Sequence, residues 1–234
     1  MRKNIVVAAI AILLLSLAAG RTHAQQAGSA APAPARGAVQ APPPPELLFR
    51  MTLKKTMPTP EPLVAELFTS PNFDLQYYGD AKNSLLANTP GGGSQYYDPH
   101  TFNGGCEKPC GLTIRDKSNY FDLRGDARIR WTTLVSGFHR VRPLIKLPDG
   151  TMLIGDQADG SVVDWHQSEI SISEVRWLKL DPARGVTVGL WVENPDLSKV
   201  DEAGYFDVIP GSGRGNGGWV ALAAFEVWGK PVKR

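Results

Sequence analysis

The chain has 234 residues, of which 25 are basic and 23 acidic, and 42% are hydrophobic. Residues 1–24, read below as a leader, contain Arg2, Lys3 and Arg21 and no acid, so without them 22 bases face 23 acids and the formal charge moves from +2 to −1. That balance makes no case for a nucleic-acid partner. The remaining length suits one sizeable domain with a real core.

Met1-Arg2-Lys3 is a positively charged start, Ile5 to Ala19 is an apolar run, and Thr22-His23-Ala24 before Gln25 fits a small-x-small cleavage site. The run is shorter than the roughly 20 residues a spanning helix needs, so residues 1–24 read as a secretory signal peptide. No later stretch is long and apolar enough to span a bilayer. The expectation is an exported protein, periplasmic or extracellular, with no membrane span. Residues 25–45, QQAGSAAPAPARGAVQAPPPP, carry almost no large apolar side chain. They read as a disordered, polyproline-like tether ahead of a domain over 46–234.

Within the domain, short apolar runs recur between turn signals. They include Leu47–Leu53, Phe73–Tyr78, Leu112–Arg115, Tyr120–Leu123, Arg128–Val135, Val141–Leu147, Met152–Ile154, Ile170–Ile172 and Val186–Val192. Ala203–Ile209 and Trp219–Trp228, joined by a glycine-rich loop, close the chain. No long helical period or internal repeat interrupts them, so the predicted fold is all-β, an antiparallel β-sandwich. Leu63–Phe68 fits a strand or a helical turn equally. Cys106 and Cys110 stand close enough in sequence to form a disulfide in an oxidising compartment, which would pin a local turn. They lack the C-x-x-C spacing and the neighbouring His of a zinc site.

The central register carries a chemical expectation. Ala127, Ile129, Trp131, Thr133 and Val135 share one face of a strand, as do Val141, Pro143, Ile145 and Leu147 of the next. A hairpin through Ser136-Gly137-Phe138, with Trp131 opposite Pro143 and Ile129 opposite Ile145, would unite those faces. Arg128, Arg130, Arg140, Arg142 and Lys146 would then form one cationic strip, balanced by acids such as Asp156, Asp164 or Glu169. Leu147 to Thr151 reads as a tight turn centred on Asp149-Gly150.

Aromatic residues supply the candidate binding site. Trp131, Trp177 and Trp191 lie in apolar runs and read as core. Trp165-His166, Trp219 beside Arg214, and Tyr96, Tyr97 and His100 lie in or next to loops, where rings stack on sugar faces and polar neighbours bind hydroxyls. With Arg140 and Arg142 they are the predicted ligand-binding residues. No cofactor is expected, with structural calcium the alternative, which Asp149, Asp156, Asp159 and Asp164 are too loosely spaced to support as a calcium loop. Gly211–Gly218 lacks the G-K-[ST] ending of a phosphate loop, and no G-x-S-x-G elbow or ordered Ser/His/Asp set is present. No catalytic residue is named.

Tyr120-Phe-Asp-Leu-Arg-Gly-Asp126, Ile172-Ser-Glu-Val-Arg-Trp177, Asp196 to Tyr205 and Ala224-Phe-Glu-Val-Trp-Gly229 together resemble galactose-binding-like β-sandwich domains. These include carbohydrate-binding modules and the domain of complex I intermediate-associated proteins. The chain's ending also looks like that of a group of exported bacterial proteins. The resemblance spans residues 66–230. It implies a jelly-roll with a ligand at its loops or concave face, and it carries over no catalytic residue. The expected function is a non-catalytic module for carbohydrate or a similar extracytoplasmic ligand. A glycoside-active hydrolase and a partner-binding envelope protein are the alternatives.

Overall fold

The computed structural model describes residues 43–51, 53, 60–68, 72–88, 100–162, 164–209 and 217–234. Residues 1–42, where the signal-peptide reading and most of the tether reading fall, and Tyr96, Tyr97 and Arg214 lie outside the described residues. The strands are β1 (Glu46–Arg50), β2 (Glu61–Pro62), β3 (Phe73–Gly79), β4 (Leu86–Asn88), β5 (His100–Phe102), β6 (Cys110–Asp116), β7 (Asn119–Asp122) and β8 (Arg128–Gly137). There follow β9 (Val141–Lys146), β10 (Met152–Gly155), β11 (His166–Ser171), β12 (Trp177–Asp181), β13 (Val186–Val192), β14 (Glu202–Asp207) and β15 (Gly218–Lys233). One helical turn, α1 (Ala81–Ser84), and 3-10 turns at Ala65–Leu67 and Ile172–Glu174 complete the set.

The strands form two antiparallel sheets, as the sequence predicted. The front sheet runs β11-β8-β15-β5-β4-β2, with β1 and β7 also paired to β15. The back sheet runs β13-β12-β10-β9-β14-β6-β3. Period-2 alternation determines what lies between them. Ile129, Trp131, Thr133 and Val135 of β8 point inward beside Val220, Leu222, Phe225 and Val227 of β15, and all are buried. The back sheet answers with Leu112, Ile114, Ile145, Leu153, Trp177 and Tyr205. Tyr205 Oη lies 2.9 Å from Thr101 Oγ1, a polar tie between the sheets. Cys106 and Cys110 form a disulfide. The predicted turn is present: Gly150 donates to Leu147 O, Thr151 N donates to Asp149 Oδ1, and Gly150 takes a φ of 87°.

The β8–β9 hairpin is not formed. β8 pairs with β11 and β15, whereas β9 pairs with β10 and β14, so consecutive strands belong to opposite sheets. The reason lies in the connection. His139 is fully buried, with Nδ1 2.6 Å from Asp207 Oδ2. A surface turn would leave that imidazole in water; here the chain instead crosses between the sheets and buries it. The single cationic strip is lost with the hairpin. Arg128 and Arg130 lie on the front sheet with Glu169, one of the anticipated acids. Lys146 lies on the back sheet, paired to the buried Glu202.

The outer face of the back sheet holds a second apolar cluster of Leu144, Met152, Ile154, Leu180 and Phe206, with Tyr78, Leu178 and Val208 packed against it. The β12–β13 turn lies against Pro109 of the disulfide loop, so tightly that a methyl on Gly185 would meet the proline ring. The sheet therefore curls until its β13 edge approaches its β3–β6 edge. The apolar face it encloses is filled with side chains. Glu202 sits beside this cluster, where it accepts from Tyr78 Oη at 2.5 Å, Thr113 Oγ1 at 2.6 Å and Lys146 Nζ at 2.9 Å. Burial, and then the Glu202 carboxylate, push the Tyr78 phenol well above its ordinary value.

Trp131 and Trp177 are core as expected, but Trp191 is 38% exposed. It stands on β13, an edge strand paired only with β12, where a register shift between Leu178 and Lys179 leaves Gly189 and Leu190 outside the ladder. The Arg176 guanidinium lies 4.3 Å from its ring centroid. Asp156 holds that arginine through its Nε and its backbone N, both at 3.0 Å. Burial pushes the Asp156 carboxyl up, but the Arg176 bonds outweigh it and leave it below the ordinary range. A depressed folded value means stability present above the unfolded value, about 3.9, and lost as pH falls through the folded one. Asp156→Asn should therefore shrink the loss of stability between about pH 5 and about pH 2. Urea midpoints measured across that range test this; identical slopes in both proteins would refute it.

Candidate functional site

The outward face of the front sheet gathers most of the described aromatic candidates. By register, the outward residues of β8 are Arg128, Arg130, Thr132, Leu134 and Ser136. Their partners on β15 are Trp228, Glu226, Ala224, Ala221 and Trp219. Trp219 and Trp228 are nine positions apart, and strict alternation would place them on opposite faces. A bulge between Leu222 and Ala224 shifts the register by one residue and puts both on this face. The strand rise separates them by about 30 Å.

At one end Trp219 packs against Phe102, with ring centroids 5.6 Å apart, and Trp165 meets His100 edge-on at 5.3 Å. Phe102 and His100 come from β5, Trp165 from the segment entering β11, and Trp219 from β15. Three separate parts of the chain therefore build one aromatic end. Beyond it, the partly exposed Ala224 and Thr132 continue the face.

At the other end Trp228 lies beneath Arg128, 4.4 Å from guanidinium carbon to ring centroid, with Arg130 at 5.8 Å. Arg130 donates to Glu169 Oε2 through Nη2 at 2.7 Å and Nε at 3.1 Å. Glu226 accepts from Arg50 Nε at 2.8 Å and from Trp228 Nε1 at 3.0 Å. Three guanidinium groups thus face two carboxylates. Stacked aromatic surface at both ends, with donors and acceptors between, can hold a ring-shaped ligand by its apolar face and its hydroxyls.

The other predicted residues are scattered. His166 is exposed on β11, opposite Thr133. Arg140 is exposed on the β8–β9 crossover. Arg142 points from the outer face of the back sheet and donates through Nε to Gly155 O at 2.6 Å. Burial weakens its hold on its proton, and Asp156 opposes that. Phe102, Glu226 and Trp228 were not singled out in sequence, because strict alternation hides Trp228 and nothing local marks the bulge. Among the described residues, no group of three or more His, Cys, Asp or Glu side chains is placed to hold a metal ion. No described helix is long and apolar enough to cross a membrane.

Neither a protein-family model nor a curated protein matches the sequence. Among solved structures, the chain is similar to an exo-β-agarase at 12% identity and a TM-score of 0.42, over 79% of this chain and 25% of that one. The chain thus spans a quarter of the agarase's length. It is also similar to the family 11 carbohydrate-binding module from Clostridium thermocellum, solved with a β-1,3-1,4-mixed-linked tetrasaccharide. That match has 12% identity and a TM-score of 0.40, over 75% of this chain and 99% of that one. A family 29 carbohydrate-binding module matches at 14% identity and a TM-score of 0.35, over 66% of this chain and 85% of that one.

Proposed function

We propose that this domain is a non-catalytic module that binds an extended carbohydrate outside the cytoplasm, on the outward face of its front sheet. One observation carries the reading. A bulge in β15 turns Trp219 and Trp228 onto the same open face, each backed by a second aromatic or a guanidinium. Glu169 and Glu226 hold arginines there, an ion-paired arrangement that orients groups for binding and leaves neither acid aimed at an open cleft. The disulfide suits an oxidising compartment.

The test is affinity electrophoresis through gels containing mixed-linkage β-glucan, agarose, xylan or galactomannan, with reducing-sugar release assayed in parallel. The protein should be retarded by at least one polymer without releasing sugar. Trp228→Ala should weaken that binding by about 2 kcal/mol, roughly 30-fold, as expected for a buried aromatic anchor. Circular dichroism should show an intact fold, because the ring points away from the core. Release of reducing sugar would replace this reading with a hydrolase.

A further inference from the structure

We propose that a cleft at the β13 edge is a second sugar subsite, and that it and the front-sheet face hold one polysaccharide chain together. This rests on the carbohydrate-binding reading above and extends it to a long polymer bound along its length.

The cleft has a volume of about 340 Å³ and lies between the end of β13 and the Ile172–Glu174 turn. Its floor is apolar, from Val175 and Leu197, and Trp191 forms a wall. The lining also includes Ile172, Trp177, Val192 and Pro195, and its polar members are Ser173, Arg176, Glu193 and Asn194. Arg176 is fixed by Asp156 through Nε, which leaves its two Nη groups without a hydrogen bond among the described residues. The side chains of Glu193 and Asn194 likewise make no hydrogen bond or ion pair among the described residues. Asn194, at the mouth, is the one described non-glycine residue with a left-handed backbone, at φ 46°. A half-exposed indole, an immobilised guanidinium fork, a carboxylate and an amide around one opening are the groups that grip a pyranose by its face and its hydroxyls.

A polar row joins the two places. Ser171 lies opposite Arg128 in the β11–β8 register, beside the Trp228 stack. Its Oγ is 3.0 Å from that of Ser173, which lines the cleft. One end of the chain would lie on the sheet face, pass the edge at Ser171 and seat a sugar against Trp191. Two linked subsites multiply affinity only for a ligand long enough to reach both.

The experiment compares polymer with tetrasaccharide for whichever of the four glycans retards the wild-type protein, using titration calorimetry. Wild type should bind the polymer at least about tenfold more tightly per binding site than the tetrasaccharide. Trp191→Ala, and separately Asn194→Gly, which keeps the left-handed backbone unstrained there, should remove that advantage while leaving tetrasaccharide binding at the front face within about twofold. Trp191→Phe should restore part of it. Unchanged polymer affinity in Trp191→Ala, with loss in Trp228→Ala, would overturn the second subsite and leave the front-face reading standing. Loss in Trp191→Ala alone, with Trp228→Ala unaffected, would overturn joint engagement and remove the front face as a site. No retention of the wild-type protein by any polymer would overturn both.

Discussion

Replacing Trp131 by alanine should lower the free energy of unfolding by about 4 kcal/mol, the range for deleting a large buried aromatic. Trp131 is fully buried on β8, stacked over Phe225 at 6.5 Å between centroids. Its Nε1 donates to Asp159 Oδ2 at 2.8 Å, and the same carboxylate accepts from Thr133 Oγ1 and Ser168 Oγ. The substitution therefore opens a cavity and also takes one donor from a partly buried carboxylate. Asp159 pairs with Val141 through both backbone bonds, so the loop it anchors is tied to the sheet crossover as well. Urea unfolding followed by tryptophan fluorescence measures the change. A loss under about 1 kcal/mol would mean that the space collapses and that Trp131 is not the keystone of the inter-sheet layer. Trp131→Phe should recover most of the packing but not the hydrogen bond to Asp159, which separates the two contributions.

The second large effect comes from adding atoms. Gly204→Ala should cost about 3 kcal/mol. Gly204 lies on β14, paired to β9 on one side and to β6 on the other. A methyl there would overlap the carbonyl of Leu112 and the Cα of Thr113, both backbone atoms of β6. A side chain could swing away; a strand ladder cannot do so without breaking its bonds. The displacement would reach Thr113, one of the three donors to Glu202, so the buried carboxylate would lose support together with the ladder. Thermal unfolding by circular dichroism gives the answer. A midpoint equal to wild type would refute this, showing that the β14–β6 ladder accommodates a methyl at Gly204.

Both effects act on the layers that hold the front face flat, but neither residue touches it. That separation matters for reading binding data. Trp228→Ala changes the surface alone, whereas Trp131→Ala changes the frame beneath it. A variant that loses binding and stability together says nothing of the site.

How much was legible follows from the range of the interactions. Period-2 patterning makes strands readable one at a time: Ile129, Trp131 and Val135 share one face in the sequence, and in the structure that face is buried. The Asp149-Gly150 turn and the Cys106–Cys110 pair were likewise local decisions. Pairing between strands was not. The β8–β9 hairpin was the natural expectation for two neighbours with matching faces. The burial of His139 against Asp207, 68 residues away, decided otherwise. Trp191 looked like core because its run is apolar, yet a strand becomes core only when something covers it, and β13 has a neighbour on one side alone.

The candidate face shows the same division most sharply. Trp165, His100 and Trp219 were named from their loops, and the fold brings Trp165 to His100 and Trp219 to Phe102. Strict alternation from Trp219 would send Trp228 to the other side. A bulge at Ala223, within the ten paired positions of β15 and β8, reverses this. By itself, the sequence determined that this domain is all-β, which residues of β8 and β9 share a face, and the Asp149-Gly150 turn, since these depend on side chains a few positions apart. Which strands pair, which face stays open and which two tryptophans share it were decided only by tertiary structure, because a backbone ladder and a buried imidazole are satisfied by partners far along the chain.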